Sequence, residues 1–449
     1  MSFAGADNFK ISKLDNLYPL TNIKTQEDIL EHKNKGIDVL FSYNDFVKKY
    51  PNIDVSKIYL EKGTIPFAYY WDKEKFILIE FLANNILFDS SINLEELINE
   101  SEKLYKEKAF KTLLNRLPSK FVLELLEDFI SLIPREQQYS IFLSEYLSSS
   151  FGFNNLNKNF VTKMFEGKIE EDIIKTEEAI KDFNEELIVY RGEGSKSTPY
   201  DKTYSWTLNR KIATLFLSSS DEKARLITAK IKKKDILEYI KREEEILIYP
   251  EKVEIIDIIE MPGINDVGYE TFSIMKEFYR YKDMLLEVNF FKDLNGHDKI
   301  HTLRVMFLAL LIIELGDKKL SKENKDILLK ACIYHDIART NDLEDNKHGE
   351  YGYKYLLDNK IIKKENSILE FLMKYHCIDD KEAIEYLSST GYSKRKINNM
   401  MLMYKILKDA DGLDRLRFGV GELDMDYLRL DISKTLVLIT VQSIKYLKL

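Results

Sequence analysis

Cysteine is scarce in this chain of 449 residues, which contains only Cys332 and Cys377. Two thiols cannot form a disulfide framework, so the fold must rest on packing, and a reducing compartment is the expectation. Glycine (17) and proline (8) are also few, which excludes collagen-like and low-complexity architectures. Long hydrophobic runs are missing: the longest, Val305 to Leu315, is interrupted by Glu314 and falls well short of the roughly 20 residues that cross a bilayer. The opening MSFAGADNFK carries no basic-then-apolar segment, and a cytoplasmic protein with no membrane partner is expected. Positive charge is not in excess either. A net charge of −8 excludes coating of DNA or another polyanion by bulk electrostatics, although a local basic groove remains compatible with it.

What remains is globular in character, with 45% hydrophobic and 32% charged residues. A chain this long exceeds one ordinary core, so two or three domains are expected. Residues 1–90 mix short aromatic and β-branched runs (IPFAYYW, KFILIEFLANNILF) with polar loops, an α+β texture of unknown role. From Leu94 to Leu147 the spacing predicts short amphipathic helices, broken near Pro118 and Pro134. Another helix is predicted over Glu170 to Phe183. Strand-type runs follow (LIVYRG, KTYSWT, RLITAKI, EEILIYP, VEIIDIIEM), marking a compact strand-rich core over residues 185–262 that Pro262 and Gly263 close. After Tyr279 nearly everything reads as helix, and no internal repeat is present.

Histidine is rare but unevenly spread. Five of the six fall between His297 and His376. Imidazole and carboxylate are the donors that hold Mn, Fe, Zn or Mg beside a reactive water, so this third of the chain is where metal chemistry is expected. In HDKIHTLRV, His301 and Arg304 are three apart and share a helix face, offering an imidazole to a metal and a guanidinium to a phosphate. His335 and Asp336 are adjacent and point about 100° apart on a helix, so both reach one ion only near a helix end. His348, His376 and Asp411 complete the series.

The order H…HD…H…H…D on helices resembles the HD superfamily of metal-dependent phosphohydrolases over residues 285–420. The resemblance is carried by the HxxRV beginning at His301, the apolar run before His335-Asp336, and DADGLDRL. It implies that His301, His335, Asp336 and Asp411 are the core metal ligands, and that His348 and His376 bind a second metal or the substrate phosphate. One or two divalent ions (Mn, Fe, Mg, Ni or Zn) are implied, with Arg304 or Arg339 offsetting charge that develops as water attacks phosphorus. Asp409 competes with Asp411, but the family pattern favours the Asp followed by a small residue and Leu. His297-Asp298 is a second HD dipeptide with no apolar run before it, so His297 is read as standing behind the ligands or facing substrate.

The strand-rich stretch holds a second ordered set: Arg191 at the end of LIVYRG, Ser205 and Thr207 on a strand before a helix, and Glu243 and Glu245 opening another strand. Residues two apart on a strand face the same side, so the two glutamates could share one cleft. Arg, Ser-x-Thr and Glu-x-Glu in this order resemble the R-S-E mono-ADP-ribosyltransferases. That resemblance implies NAD as co-substrate, held by Arg191, Ser205 and Glu245, with Glu243 activating the acceptor. Trp206 departs from the family's pattern and reads equally well as a core residue.

The expected fold class is therefore multidomain: an α+β N-terminal region (1–90), an ADP-ribosyltransferase-like domain (91–262, with a helical lead-in over 91–184) and an all-α HD domain (280–449). The expected function is bifunctional, an NAD-dependent transferase joined to a phosphohydrolase acting on a nucleotide or other phosphorylated substrate. The acceptor for ADP-ribose would be a protein or nucleic acid, and the setting a bacterial or phage conflict effector. Two other readings stand beside it: a phosphohydrolase whose middle region only senses nucleotide, and a nucleotide-binding regulator without turnover.

Overall fold

The computed structural model describes residue 14 and residues 17–34, 42–61, 67–82, 93–149, 156–195, 197–217, 222–290, 297–341, 343 and 345–446. Contacts divide the chain into two units, Met1–Glu178 and Ala179–Leu449. The division differs from the boundaries read from the sequence, for the helical stretch before Glu178 groups with the N-terminal strands.

The first unit contains β1 (Leu17–Pro19), α1 (Gln26–Asn34), α2 (Tyr43–Lys49), β2 (Ile58–Glu61), β3 (Phe67–Asp72) and β4 (Ile77–Leu82). The helices α3 (Leu94–Lys106), α4 (Phe110–Leu114), α5 (Ser119–Ile130), α6 (Arg135–Ser148), α7 (Lys158–Glu166) and α8 (Glu170–Ile180) follow. The strands pair antiparallel in the order β1-β2-β3-β4. Ala68, Tyr69 and Tyr70 of β3 and Ile77, Leu78 and Ile79 of β4 are buried in succession, so these two strands are covered on both faces, and Tyr69 meets Phe121 of α5 edge-on with ring centroids 5.5 Å apart. Pro118 and Pro134 stand immediately before α5 and α6, where a residue without an N–H costs no helical hydrogen bond.

The second unit begins with β5 (Glu186–Glu193), β6 (Ser205–Thr207), α9 (Arg210–Leu217), β7 (Ala224–Lys232), β8 (Ile236–Ile240), β9 (Glu245–Ile248) and β10 (Glu254–Met261). These strands form an antiparallel sheet in the order β10-β7-β5-β6-β9-β8. Val189, Ile227, Ile246 and Trp206 pack on one side of it, so Trp206 is a core residue, 2% exposed. Against the sheet lies α9, and a Cβ on Gly192 would stand 2.0 Å from the Ala213 carbonyl oxygen. Only glycine allows that approach.

The helices α10 (Gly268–Leu286), α11 (Lys299–Leu315), α12 (Lys322–Tyr334), α13 (His348–Asp358), α14 (Ser367–Tyr375), α15 (Asp380–Ser389), α16 (Lys394–Asp414), α17 (Asp431–Thr435) and α18 (Val437–Tyr446) complete the unit. Val305 to Ile313 are buried on every side, so the longest apolar run is the central helix of a bundle. No helix among the described residues is long and apolar enough to cross a membrane. Ala213, Leu217, Leu226 and Met261 belong to the same buried cluster as the bundle, which gives sheet and helices a common core.

One polar cluster ties three parts of the bundle together. Asp380 accepts hydrogen bonds from Arg429 Nε (2.7 Å), Arg429 Nη2 (2.8 Å) and the Tyr404 hydroxyl (2.8 Å). Burial alone would raise its pKa, but the Arg429 and Tyr404 bonds outweigh burial and hold it at about 2. The folded value lies below the ordinary one of roughly 3.9. Its stabilisation is therefore complete above about pH 4 and is lost as pH falls toward about 2. The thermal midpoint of wild type should drop through that window more steeply than that of Asp380→Asn, with the variant already less stable at neutral pH. Parallel curves from scanning calorimetry would contradict this.

Candidate metal centre

Each candidate ligand sits at a helix end, and local sequence puts it there. Asp298 caps α11 by accepting from the His301 amide (2.7 Å), which fixes the first turn and sets His301 fully inside. Ser321 caps α12, whose last apolar turns run into the bundle and deliver His335 at the C-cap with Asp336 next. Asn366 starts α14 by accepting from two backbone amides, and that helix ends at His376. His348 opens α13. The next residue, Gly349, is a contact point: a Cβ there would lie 2.0 Å from Met373 O and 3.1 Å from His376 Cε1. Its missing side chain lets α13 come close enough to bring His348 beside His376.

Asp336 occupies the middle. Its Oδ2 lies 3.5 Å from both His301 Nε2 and His335 Nε2, and 2.7 Å from His297 Nδ1. Its Oδ1 lies 3.1 Å from His348 Nε2 and 3.7 Å from His376 Nε2. Asp411 Oδ1 comes within 3.4 Å of His301 Nε2 from the other side. Three groups have donors spaced to hold an ion, the first two sharing His301: His301-His335-Asp411, His297-His301-Asp336 and His348-His376-Cys377.

The outer ring nitrogens are all committed. His335 Nδ1 faces Cys332 O at 2.8 Å, His348 Nδ1 faces Asp345 O at 2.5 Å and His376 Nδ1 faces Met373 O at 2.5 Å. A carbonyl only accepts, so each Nδ1 carries the proton, and a neutral ring then turns its Nε2 lone pair inward. His301 Nδ1 is tied to Asp414 Oδ2 at 2.7 Å. The inner nitrogens nevertheless approach in pairs, His301 with His335 at 3.2 Å and His348 with His376 at 2.9 Å. Lone pairs at such distances repel unless a cation or proton lies between them.

The ionisation of the cluster tells the same story. Burial opposes charge on His301, but the Asp336 and Asp414 carboxylates outweigh it and raise this histidine to about 9. Burial also works against His348, which Asp336 lifts to about 10. At His335 burial wins and pushes the value down to about 4. Burial would raise Asp336 and Asp411, yet the surrounding imidazoles hold both below the usual carboxylate range. Each half of the site thus gathers positive charge around Asp336.

A cavity of about 170 Å³ opens on this cluster, lined by His297, Asp336, Arg339, Asp345, Asn346, His348, His376, Cys377 and Asp411. Arg339 is anchored on backbone carbonyls through Nε (Asn341 O, 3.1 Å) and Nη2 (Leu343 O, 3.0 Å), which leaves its Nη1 3.8 Å from Asp336 Oδ1. Arg304 has a different setting from the one read in the sequence. Its Nε and Nη2 bond Asp414 at 2.5 and 3.1 Å, and Arg417 Nη1 joins at 2.8 Å. It therefore steadies the carboxylate that orients His301 and does not line the cavity. Asp409 is turned away, accepting from the amides of Arg429 and Leu430, which leaves Asp411 to face His301.

Sequence reasoning passed over Asp414, Asn346, Asp345 and Cys377. Asp414 lies three residues past Asp411, one helical turn along, and that spacing was the available signal. Cys377 directly follows His376, an adjacency that carries no ligand pattern in the sequence. Burial would raise its thiol, but the His348 bond and the nearby His376 bring it down to about 7.

In the sheet, Arg191, Ser205 and Glu245 converge because β6 pairs with both β5 and β9. Ser205 Oγ bonds Glu245 Oε1 at 2.5 Å, while Arg191 donates to Ser205 O (3.0 Å) and Thr198 O (2.7 Å). Burial, reinforced by Glu243, raises the Glu245 pKa despite Ser205 and Arg191. Glu243 itself lies off the strand, in a tight turn at Lys241–Glu243, and Glu244 is left-handed at φ 48°. The strand alternation expected for the two glutamates is broken by that residue.

Residues 299–416 match the HD domain family. Comparison with curated proteins and with solved structures finds no match. These comparisons give no support to the transferase resemblance of the strand-rich stretch.

Replacing Gly349 by Ala should force α13 away from α14 and separate His348 from His376. Overpacking of this kind costs about 1–3 kcal/mol, so the denaturant midpoint should fall by a matching amount. An unchanged midpoint would show that the helices are not in the contact described.

Proposed function

We propose that, with an HD domain at residues 299–416 as the premise, the protein is a metal-dependent phosphohydrolase whose substrate carries a phosphoryl group on a nucleotide or similar small molecule. The observation that carries this reading is the crowding of inward-facing Nε2 atoms of His301, His335, His348 and His376 around both oxygens of one buried carboxylate, Asp336. That donor set suits hard to borderline divalent cations. His301, His335, Asp336 and Asp411 would hold one ion, and His348 and His376 a second, with Asp336 shared. Ions there would supply Lewis acidity at a phosphoryl oxygen and acidify water.

The chain's own residues do the rest. Asp414, braced by Arg304 and Arg417, fixes the tautomer and orientation of His301. Arg339 Nη1 stands at the cavity wall, where it offsets negative charge on phosphoryl oxygens. His297, bonded to Asp336 through Nδ1, also lines the cavity, within reach of a leaving group. The cavity is small beside the roughly 300–1,000 Å³ typical of pockets that enclose a ligand. It therefore suits the phosphoryl end of a substrate, with the remainder lying at the opening.

Metal analysis and hydrolysis assays test this reading together. Purified protein should contain a divalent metal, and His335→Ala or Asp336→Ala should weaken metal binding by more than the roughly 10- to 100-fold of outer-shell substitutions. Both variants should also abolish hydrolysis of whichever nucleotide, cyclic nucleotide or phosphomonoester the wild type accepts. Metal-free protein, with no hydrolysis in any of these classes, would remove the proposal.

A second reading is favoured by one observation in the sheet. The Arg191, Ser205 and Glu245 side chains meet, and an NAD-consuming ADP-ribosyltransferase role would have the guanidinium exchange its bonds to the Ser205 and Thr198 carbonyls for a diphosphate while Glu245 stabilises a developing ribosyl cation. Wild type should then release nicotinamide from NAD, and Glu245→Gln should lose at least about 100-fold of that rate. Equal rates in the two proteins would leave the cluster a structural brace between strands.

A further inference from the structure

The two halves of the cluster around Asp336 differ chemically. The half around His301 and His335 offers nitrogen and carboxylate oxygen, from Asp411 and Asp336. The half around His348 and His376 also has sulfur within reach: His348, His376 and Cys377 each place one donor atom within 4.8 Å of the other two. Cys377 is partly buried, lines the cavity and has its Sγ 3.6 Å from Lys374 O at the end of α14.

Metal–nitrogen bonds of about 2.0–2.1 Å and metal–sulfur bonds of about 2.3 Å put tetrahedral donors roughly 3.3–3.7 Å apart. The three donors lie within 4.8 Å of one another, so side-chain rotation by about an ångström or less brings them to that geometry. The second indication of a cation is independent of the thiol. His348 Nε2 and His376 Nε2 are 2.9 Å apart while both rings donate their Nδ1 protons in hydrogen bonds to carbonyl oxygens, a separation that requires either a shared proton or a metal ion between the two nitrogens. Asp336 Oδ1, 3.1 Å from His348 Nε2, supplies a fourth donor.

We propose that Cys377 Sγ is a ligand of the ion held by His348 and His376, making this half of the cavity an N2S site, closed by Asp336, that selects a thiophilic divalent cation such as Zn2+ or Co2+ over Mg2+ or Mn2+. The inference rests on the metallohydrolase reading and adds to it a difference between the two ion positions. Thiolate donors discriminate in this way because soft sulfur prefers borderline cations, whereas Mg2+ and Mn2+ favour oxygen. Coordination displaces the thiol proton to solvent, and no oxidant or reductant takes part.

The test is Co2+ loading of the full-length, metal-depleted protein followed by absorption spectroscopy. Wild type should bind two equivalents and show a strong near-ultraviolet sulfur-to-cobalt charge-transfer band. Cys377→Ser and Cys377→Ala should lose that band while still binding Co2+ at the His301 half. In both variants, competition with a chelator should show Zn2+ affinity at the weaker position reduced at least about 10- to 100-fold. Zn2+ should also protect wild-type Cys377 from alkylation, with the modified residue read by peptide mass, and Mg2+ should not. A histidine-type Co2+ spectrum that is the same in wild type and both variants would overturn the assignment of Cys377 and leave the metallohydrolase reading standing. Failure of wild type to bind any Co2+ or Zn2+ would overturn both.

Discussion

A single buried carboxylate sets the terms for the helical part of this protein. Asp336 is 2% exposed and surrounded by the imidazoles of His297, His301, His335, His348 and His376. A carboxylate taken out of water is costly unless positive charge answers it, and His301 and His348, raised to about 9 and about 10, supply part of that charge. Around Asp336 stand rings pinned by backbone carbonyls, a second carboxylate at Asp411, and arginines kept one layer back on Asp414.

The architecture delivers these groups by ending helices where it does. A residue in the middle of a helix is committed to one direction. At a C-cap the chain turns, which is how the adjacent His335 and Asp336 address the same space. The same logic applies to His376 after α14. Capping residues at Asp298, Ser321 and Asn366 therefore act on the site although none needs to touch a ligand, because each sets the point from which a helix counts its turns.

The helical site was legible because its chemistry is carried by rare residue types in a fixed order. His301, His335, Asp336, His348, His376 and Asp411 could be picked out as letters, and the geometry brings the six together, with Asp336, His348, His376 and Asp411 on the cavity wall and His301 and His335 buried behind them. Asp414 and Arg304 were harder. An arginine three residues from a histidine reads as a phosphate ligand until a carboxylate more than a hundred positions away claims it, and no local pattern announces such a pairing. Gly349 shows a different limit: a glycine inside a helical pattern signals close packing only when the facing helix is known. In the sheet, the strands were visible as β-type runs and their ordering was not. Arg191, Ser205 and Glu245 meet because β6 lies between β5 and β9, a neighbour relation that periodicity cannot encode. The alternation inferred for Glu243 and Glu245 failed at Glu244, whose left-handed backbone keeps the strand from starting before Glu245.

The packing of α9 against Gly192 has a bearing on how this chain would behave as it comes apart. Ala213 and Leu217 of α9 are shared between the sheet and the helical bundle, and Arg210 and Thr214 of the same helix reach Asp426 and Met425. A helix that belongs to two layers makes their melting one event. Residues 179–449 should lose structure in a single cooperative transition, so neither the bundle nor the sheet can be excised without leaving an apolar scar on the other. Any substitution that loosens the strands would then also shorten the lifetime of the geometry around Asp336, although it lies in a different stretch of sequence.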